Sequence, residues 1–209
     1  MSTDLTLRYM TVADVPEVVV IDEASFTPPW TARSYRFEIN ESNVSYMLVL
    51  EQPTQRPLTG FRRWWKNLIG SNETTEEMCT IVGYGGLWKI AEEAHISTIA
   101  THPDYRGRKL GEILLAGMIR RAIVLHARYV VLEVRVSNTV AQNLYHKYGF
   151  KMHGIKKNYY HHDHEDAYDM RLDLSGAAIA TFKQQYRHLQ QHNPFRDRYS
   201  RTPHPRLDR

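Results

Sequence analysis

Apolar and polar residues alternate through Leu5, Leu7 and Tyr9, the period of a half-buried strand. Thr11 and Asp14 follow three apart, in the manner of a capping box, and Val15, Val18, Val19 and Ile21 behind them repeat at helical spacing. Phe26-Thr27-Pro28-Pro29-Trp30 ends that helix, because proline cannot supply the amide an inner turn needs. Thr31 caps a second short helix through about Glu38. Residues 44–50, 79–87 and 93–100 read as strands, residues 108–126 as a long helix, and residues 129–136 as an apolar strand interrupted by Glu133 and Arg135. A helix over 138–147 with Asn138 as its N-cap, two strands at 150–160 and 167–174, and a helix over 176–191 complete the pattern. Residues 193–209 read as disordered. There is no internal repeat, and the mixed order of elements predicts a central mixed sheet flanked by helices.

One stretch departs from this rhythm. Residues 52–78 form an insertion in which Phe61, Trp64, Trp65, Leu68 and Ile69 fall on one face of a short helix, with Arg62, Arg63 and Lys66 on the rest. Such a helix suits a membrane surface or a partner, or packing on the protein's own core, which we rank first.

Length and composition narrow the class. A chain of 209 residues, 42% hydrophobic and 24% charged, is one globular domain with room for extras. A single cysteine, Cys79, allows no intramolecular disulfide and fits a reducing compartment. The first ten residues lack the pattern of a signal peptide, and no apolar run approaches the roughly 20 residues of a membrane span. We therefore expect a cytoplasmic protein with no transmembrane segment. Residues 175–209 hold seven Lys/Arg and two Asp/Glu, a net +5 against +4 for the whole chain, so the remainder is about −1. A basic tail suits a weak RNA contact or an acidic partner, or is simply a solvated terminus.

The strand at 96–100 leads through Thr101-His102-Pro103-Asp104 into Arg106-Gly107-Arg108-Lys109-Leu110-Gly111, and the apolar helix follows at once. A helix start leaves amides unpaired and carries partial positive charge, so it can hold a phosphate. Two arginines and a lysine in the same loop add to that attraction.

On these residues the chain from about Leu5 to Leu174 resembles the GNAT superfamily of acetyl-CoA-dependent N-acetyltransferases, whose phosphate loop reads Arg/Gln-x-x-Gly-x-Gly/Ala. Lys109 stands where that pattern has glycine. Pro29-Trp30, the run Leu132-Glu133-Val134-Arg135-Val136-Ser137-Asn138, Leu144-Tyr145-x-x-Tyr148-Gly149-Phe150, and Asn158-Tyr159-Tyr160 with Glu165-Asp166-Ala167-x-x-Met170 narrow the likeness to the RimI-like group, the ribosomal-protein-alanine N-acetyltransferases. The resemblance implies a GNAT fold of the α/β (α+β) class. Its sheet would be mixed, largely antiparallel and seven-stranded, with about four helices around it. The catalytic domain would be residues 1–174, with the 52–78 insertion inside it and a basic extension, 175–209, after it.

The resemblance also implies roles. Acetyl-CoA would lie along Ile99, Ala100 and Thr101, with its phosphates on Arg106, Gly107, Arg108, Lys109, Leu110 and Gly111, and Asn138 bonded to it. Glu133 would be the base that takes the amine proton, and Tyr145 the acid that protonates the departing thiolate. On spacing alone, Glu133 reads as a solvent-facing strand residue and Tyr145 as helix packing. Phe26, Pro29 and Trp30 would form one wall of the acceptor site and Tyr159 and Tyr160 the other, although such aromatics also occur as edge-of-core packing. His161-His162-Asp163-His164-Glu165-Asp166 has metal-binding residue types, but side chains in one short loop rarely wrap an ion, so we read a polar hairpin tip and expect no metal.

The function implied is acetylation of the N-terminal alanine amine of a small-subunit ribosomal protein. The rivals are acetylation of other protein N-termini, a lysine or a small-molecule amine, and a non-catalytic module that only binds acetyl-CoA.

Overall fold

The computed structural model describes residues 5–57 and 75–207. They form eight strands, β1 (Leu5–Tyr9), β2 (Ser45–Pro57), β3 (Thr75–Ile90), β4 (Glu93–Thr101), β5 (Tyr129–Arg135), β6 (Lys151–Tyr160), β7 (Glu165–Asp173) and β8 (Phe195–Asp197). The helices are α1 (Val15–Glu23), α2 (Ala32–Asn40), α3 (Leu110–Val124), α4 (Thr139–Lys147) and α5 (Gly176–His192). The strands make one sheet in the order β6-β7-β5-β4-β3-β2-β1-β8. Neighbours run antiparallel except at β4–β5 and β1–β8, which are parallel. The expected mixed, largely antiparallel sheet is present, with eight strands among the described residues where seven were expected and five helices where about four were.

Side chains alternate across this sheet. On β2, Leu48 and Leu50 enter the core beneath α3, α4 and α5, while Met47 and Val49 enter the core beneath α1 and α2. A strand covered on both faces needs apolar residues at every position, which is why this segment reads as a continuous hydrophobic run. At Gly117, α3 crosses β1 so closely that an added Cβ would lie 2.4 Å from Leu7 Cδ2. Short side chains satisfy the free amides at the helix starts. The Ser34 N–H donates to Thr31 Oγ1 (3.1 Å), that of Ala141 to Asn138 Oδ1 (3.1 Å) and that of Ala178 to Ser175 Oγ (3.3 Å). The Thr11 N–H donates to Asp14 Oδ2 at 2.7 Å.

The ends of the 52–78 insertion are strand, since β2 and β3 pair from Ser45↔Trp88 to Pro57↔Thr75. The short amphipathic helix expected inside it lies outside the described residues. Among the described residues no helix is long and apolar enough to cross a membrane.

The tail corrects an expectation. Residues 193–207 are not disordered, because β8 adds in parallel to β1 and the chain then folds over the sheet. Tyr199 is fully buried and its hydroxyl donates to the Tyr46 carbonyl at 2.9 Å. The Asp197 carboxylate accepts from the Tyr186 hydroxyl (2.5 Å) and from Arg120 (3.4 Å). His204 sits edge-on to Tyr9 and Tyr46, with ring centroids 4.8 and 5.2 Å away, and Arg206 donates to the Ser42 carbonyl. Two aromatic anchors, Phe195 and Tyr199, sit among arginines and prolines, so the average composition hides them. With the tail docked, its charge alone carries no argument for an RNA contact.

Ending the chain at His192 removes both anchors and uncovers the edge of β1. Each large buried side chain is worth about 2 kcal/mol, so urea unfolding should show a loss of roughly 3 kcal/mol or more. An unchanged unfolding midpoint would contradict the docked tail.

Candidate active site

The site begins where two strands part. β4 and β5 pair only through Glu93↔Tyr129, Ala94↔Val130 and His95↔Val131. Beyond His95 the β5-facing edge of β4 has no strand beside it among the described residues, while the other edge stays bonded to β3 through Gly83↔Thr101, Tyr84↔Ala100, Gly85↔Ile99 and Gly86↔Thr98. The register shifts between Gly86 and Leu87, which makes Ser97 the extra residue of a β-bulge. Unpaired backbone N–H and C=O groups along a strand edge call for a partner, and an extended ligand carrying amides supplies one.

That edge opens onto a groove of about 710 Å³. Its walls are Ile99, Ala100 and Thr101 of β4, the loop residues Arg106, Gly107 and Lys109, the start of α3 at Leu110 and Gly111, and Asn138, Ala141, Leu144 and Tyr145 on the α4 side. Lys109 is the N-cap of α3 and adopts φ 60°, and Gly107 has φ 78°. Both are left-handed conformations, which is why glycine is the natural residue at each. Lys109 therefore keeps the loop's backbone path at some cost in strain. The loop brings the first amides of α3, which have no intrahelical acceptor, to the groove wall. The residues fit an acetyl-CoA with its amide-bearing arm on β4 and its phosphates at the helix start. Arg108 lies outside the lining, with its guanidinium 5.0 Å over the Tyr105 ring.

A second cavity of about 290 Å³ adjoins the groove and shares Ser25, Phe26, Ile99, Asn138 and Tyr145 with it. Asp22, Pro28, Trp30, Thr98, Glu133, Arg135, Tyr159 and Tyr160 also line it. Of the acceptor-wall candidates only Pro29 lines neither cavity. It is exposed, and Pro28 takes that position. Glu133 reaches the cavity through strand alternation, since Val130, Leu132 and Val134 are buried in the core and the residues between them face the other way.

The two central side chains have opposite protonation. Burial pushes the Glu133 carboxyl up, but its hydrogen bond with His95 Nε2 (2.7 Å) and its ion pair with Lys156 outweigh this and hold it at about 2. Burial, with Tyr160 nearby, pushes the Tyr145 phenol well above its usual value. One cavity therefore holds an ionised carboxylate and a protonated phenol across the pH range in which proteins work.

Two polar nodes fix the walls. The buried Asp22 accepts from the Trp30 N–H (2.5 Å), the Tyr35 hydroxyl (2.7 Å) and the Tyr84 hydroxyl, which pins the α1–α2 loop to α2 and β3. On the far side, Arg135 lies 3.9 Å over the Tyr160 ring and pairs with Asp163 (2.5 Å) and Glu165 (2.8 Å). Glu165 also accepts from the Ser137 N–H at 2.7 Å, so the hairpin tip that looked metal-like holds the tyrosine wall. Among the described residues, no three or more His, Cys, Asp or Glu side chains group so as to hold a metal ion.

His95, Lys156, Asp22 and Ser97 escape a reading by spacing. His95 and Glu133 are 38 residues apart, and only the parallel pairing of β4 with β5 brings them together.

Comparison with known proteins gives the family and the fold. Residues 21–150 match the acetyltransferase (GNAT) family. A Bacillus subtilis protein provisionally named a ribosomal protein bS18-alanine N-acetyltransferase is 35% identical over 175 residues, covering 84% of this chain and 99% of that protein. The ribosomal protein bS18-alanine N-acetyltransferase of Salmonella typhimurium is 42% identical over 91 residues, 41% of this chain and 60% of that one. Among solved structures, the ribosomal-protein-S18-alanine N-acetyltransferase of Escherichia coli has a TM-score of 0.61 at 24% identity over 82% of this chain and 94% of its own. The NatC complex bound to Gag peptide and CoA has a TM-score of 0.60 at 18% identity, covering 82% of this chain and 99% of that one. At these identities the two structures speak for the fold.

The loop at Gly107 and Lys109 yields a paired prediction. An added Cβ at Gly107 meets nothing within 4 Å, so Gly107→Ala should cost about 1 kcal/mol, all of it from the left-handed backbone. Lys109→Gly relieves the same strain and should leave the thermal midpoint unchanged or raise it. A harmless Gly107→Ala together with a damaging Lys109→Gly would contradict these loop conformations.

Proposed function

The chain belongs to the acetyltransferase (GNAT) family, and we propose that it transfers acetyl from acetyl-CoA to the α-amine of a protein N-terminus, the alanine of a small-subunit ribosomal protein. Acetyl-CoA-dependent N-acetyltransferase activity follows from the family itself. The choice of amine is the proposed step, and the cytoplasm is where it would operate.

In this reading acetyl-CoA supplies an activated acetyl thioester lying along the free edge of β4. Ile99, Ala100 and Thr101 hold its amides, and Arg106, Gly107, Lys109, Leu110 and Gly111 hold its phosphates, with Arg108 attracting them from outside the groove. Asn138 stands where the two cavities meet. Phe26, Pro28 and Trp30 close one side of the acceptor, and Tyr159 and Tyr160 the other. Pro29 shapes the loop. Glu133 receives the amine proton, and Tyr145 gives a proton to the sulfur as it leaves. Residues 1–174 carry the chemistry, and the 175–209 extension braces the β1 edge.

The observation that carries this reading is the pairing of an ionised Glu133 and a protonated Tyr145 in one small cavity opening onto the groove. It also favours an α-amine over a lysine. An α-amine with a pKa near ~8 is about one-tenth neutral at pH 7, whereas a lysine near ~10.4 is neutral about once in 2,500. A carboxylate held at about 2 cannot strip a lysine ammonium, so the amine must arrive already neutral. The names of the Bacillus and Salmonella relatives point to the same class of acceptor.

A peptide panel tests the proposal. An Ala-starting peptide from a small-subunit ribosomal protein should gain about 42 Da in the presence of acetyl-CoA, the mass change of one acetyl group. The same peptide with a blocked N-terminus and an internal lysine should not react. Glu133→Gln and Tyr145→Phe should each lower kcat by roughly a hundredfold. Acetylation of the blocked peptide, or full activity in Glu133→Gln, would overturn the reading.

A further inference from the structure

Glu133 reaches the cavity with both carboxylate oxygens engaged. Oε2 lies 2.7 Å from His95 Nε2, and Oε1 pairs with Lys156 Nζ. An ionised carboxylate offers only lone pairs, so His95 must carry hydrogen on Nε2 and donate it. His95 is well placed to hold that geometry. It occupies the last β4 position still paired with β5, and its ring sits edge-on to Trp88 at 5.5 Å. Trp88 in turn stacks on Trp30 at 6.3 Å and donates to Glu38 at 2.9 Å. The His95 side chain is 20% exposed and that of Glu133 10%, so the bond is largely shielded from water. The other ionisable groups around Glu133 are Lys156, Tyr159 and Tyr160 from β6, Asp169 directly opposite on β7, and Arg135 two residues along its own strand.

We propose that His95 is a positioning residue: by donating Nε2–H to Oε2 it holds Glu133 as an ionised, oriented proton acceptor that acts after the nitrogen–carbon bond has begun to form. The proposal rests on the reading of Glu133 as the base. The neutral amine's lone pair forms the N–C bond at the thioester carbonyl carbon, and the C–S bond breaks with its electrons going to sulfur. The nitrogen, positively charged and far more acidic once that bond forms, gives its proton to Glu133, and sulfur takes one from Tyr145. Passage of the proton from the Glu133 carboxyl to the Tyr145 phenolate resets both groups.

The pH profile separates this role from packing. A carboxylate already ionised well below pH 5 adds no limb of its own, so log(kcat/KM) should fall with slope one below the α-amine pKa of ~8. In His95→Leu the burial of Glu133 is opposed chiefly by Lys156, with a hydrogen bond from Tyr159 beside it. Its pKa rises, and a second protonation steepens the acid limb toward slope two. His95→Gln keeps an N–H donor in place of the imidazole.

The experiment measures kcat and peptide KM from pH 5 to 8.5 for the intact enzyme, His95→Leu and His95→Gln, with acetyl-CoA binding as a check on folding and Glu133→Gln as a reference. We expect His95→Leu to lower kcat about tenfold to a hundredfold with peptide KM within about twofold, the worth of a hydrogen bond to a charged group. His95→Gln should recover most of kcat and the slope-one limb. Wild-type kcat and slope in His95→Leu, or a His95→Gln no better than His95→Leu, would overturn the proposal. Should His95→Leu lose acetyl-CoA binding, the kcat and slope of His95→Gln decide. An active Glu133→Gln would sink the base itself, whereas an inactive Glu133→Gln with an unaffected His95→Leu would sink this inference alone.

Discussion

Three residue pairs hold β4 to β5, and the whole site depends on where that pairing stops. Had the two parallel strands stayed together, the backbone of residues 98–101 would be satisfied within the sheet and no gap would open beside Glu133. Because they part after His95, the same divergence frees a backbone edge for an amide-bearing ligand and opens a cavity beside the glutamate. The Ser97 bulge lies at the point of departure, where an extra residue bends the strand and re-aims the side chains beyond it. The groove and the acceptor cavity are two sides of one gap, which is why they share Phe26, Asn138 and Tyr145.

A gap in a sheet needs bracing, and the braces are polar. Asp22 collects three donors and fixes the loop between α1 and α2 against β3. Arg135 binds the hairpin tip and stacks on Tyr160 from the opposite side. The helix α3 is held at both ends. Its N-terminus rests on the tight turn at Gly107 and Lys109, and near its C-terminus the buried Arg121 stacks over Tyr9 and Tyr46 and donates to the Thr202 carbonyl at 3.3 Å. The C-terminal segment thus steadies the same helix whose other end faces the groove. A group buried with good partners holds its orientation, and orientation is what the proposed proton transfer would require of Glu133.

Much of this was legible from spacing because it is local. Apolar periodicity marked the helices and most strands, and Thr31, Asn138 and the loop around Gly107 announced themselves by short-range chemistry. The alternation of β5 placed Glu133 opposite the core. What escaped was whatever depends on long-range pairing. His95 gains meaning only from a residue 38 positions away, and Asp22 from Tyr35 and Tyr84, 13 and 62 positions on. The tail escaped for a different reason: Phe195 and Tyr199 are few and widely surrounded by charge, so the mean composition suggests disorder, while these anchors and the polar contacts of Asp197, His204 and Arg206 dock it. Lys109 looked irregular in one dimension, and its left-handed backbone gives that irregularity a physical meaning.

The central claim is that the groove along β4 and the cavity around Glu133 form one continuous site for a cofactor and a peptide amine. A conjugate in which the sulfur of CoA is joined through an acetyl bridge to the N-terminus of an Ala-starting peptide spans both at once. Titration calorimetry should find it binding at least about a hundredfold tighter than CoA alone, because the second half of the molecule binds at high effective concentration. Binding no tighter than CoA would mean that the two cavities do not act as one site, and would contradict the account.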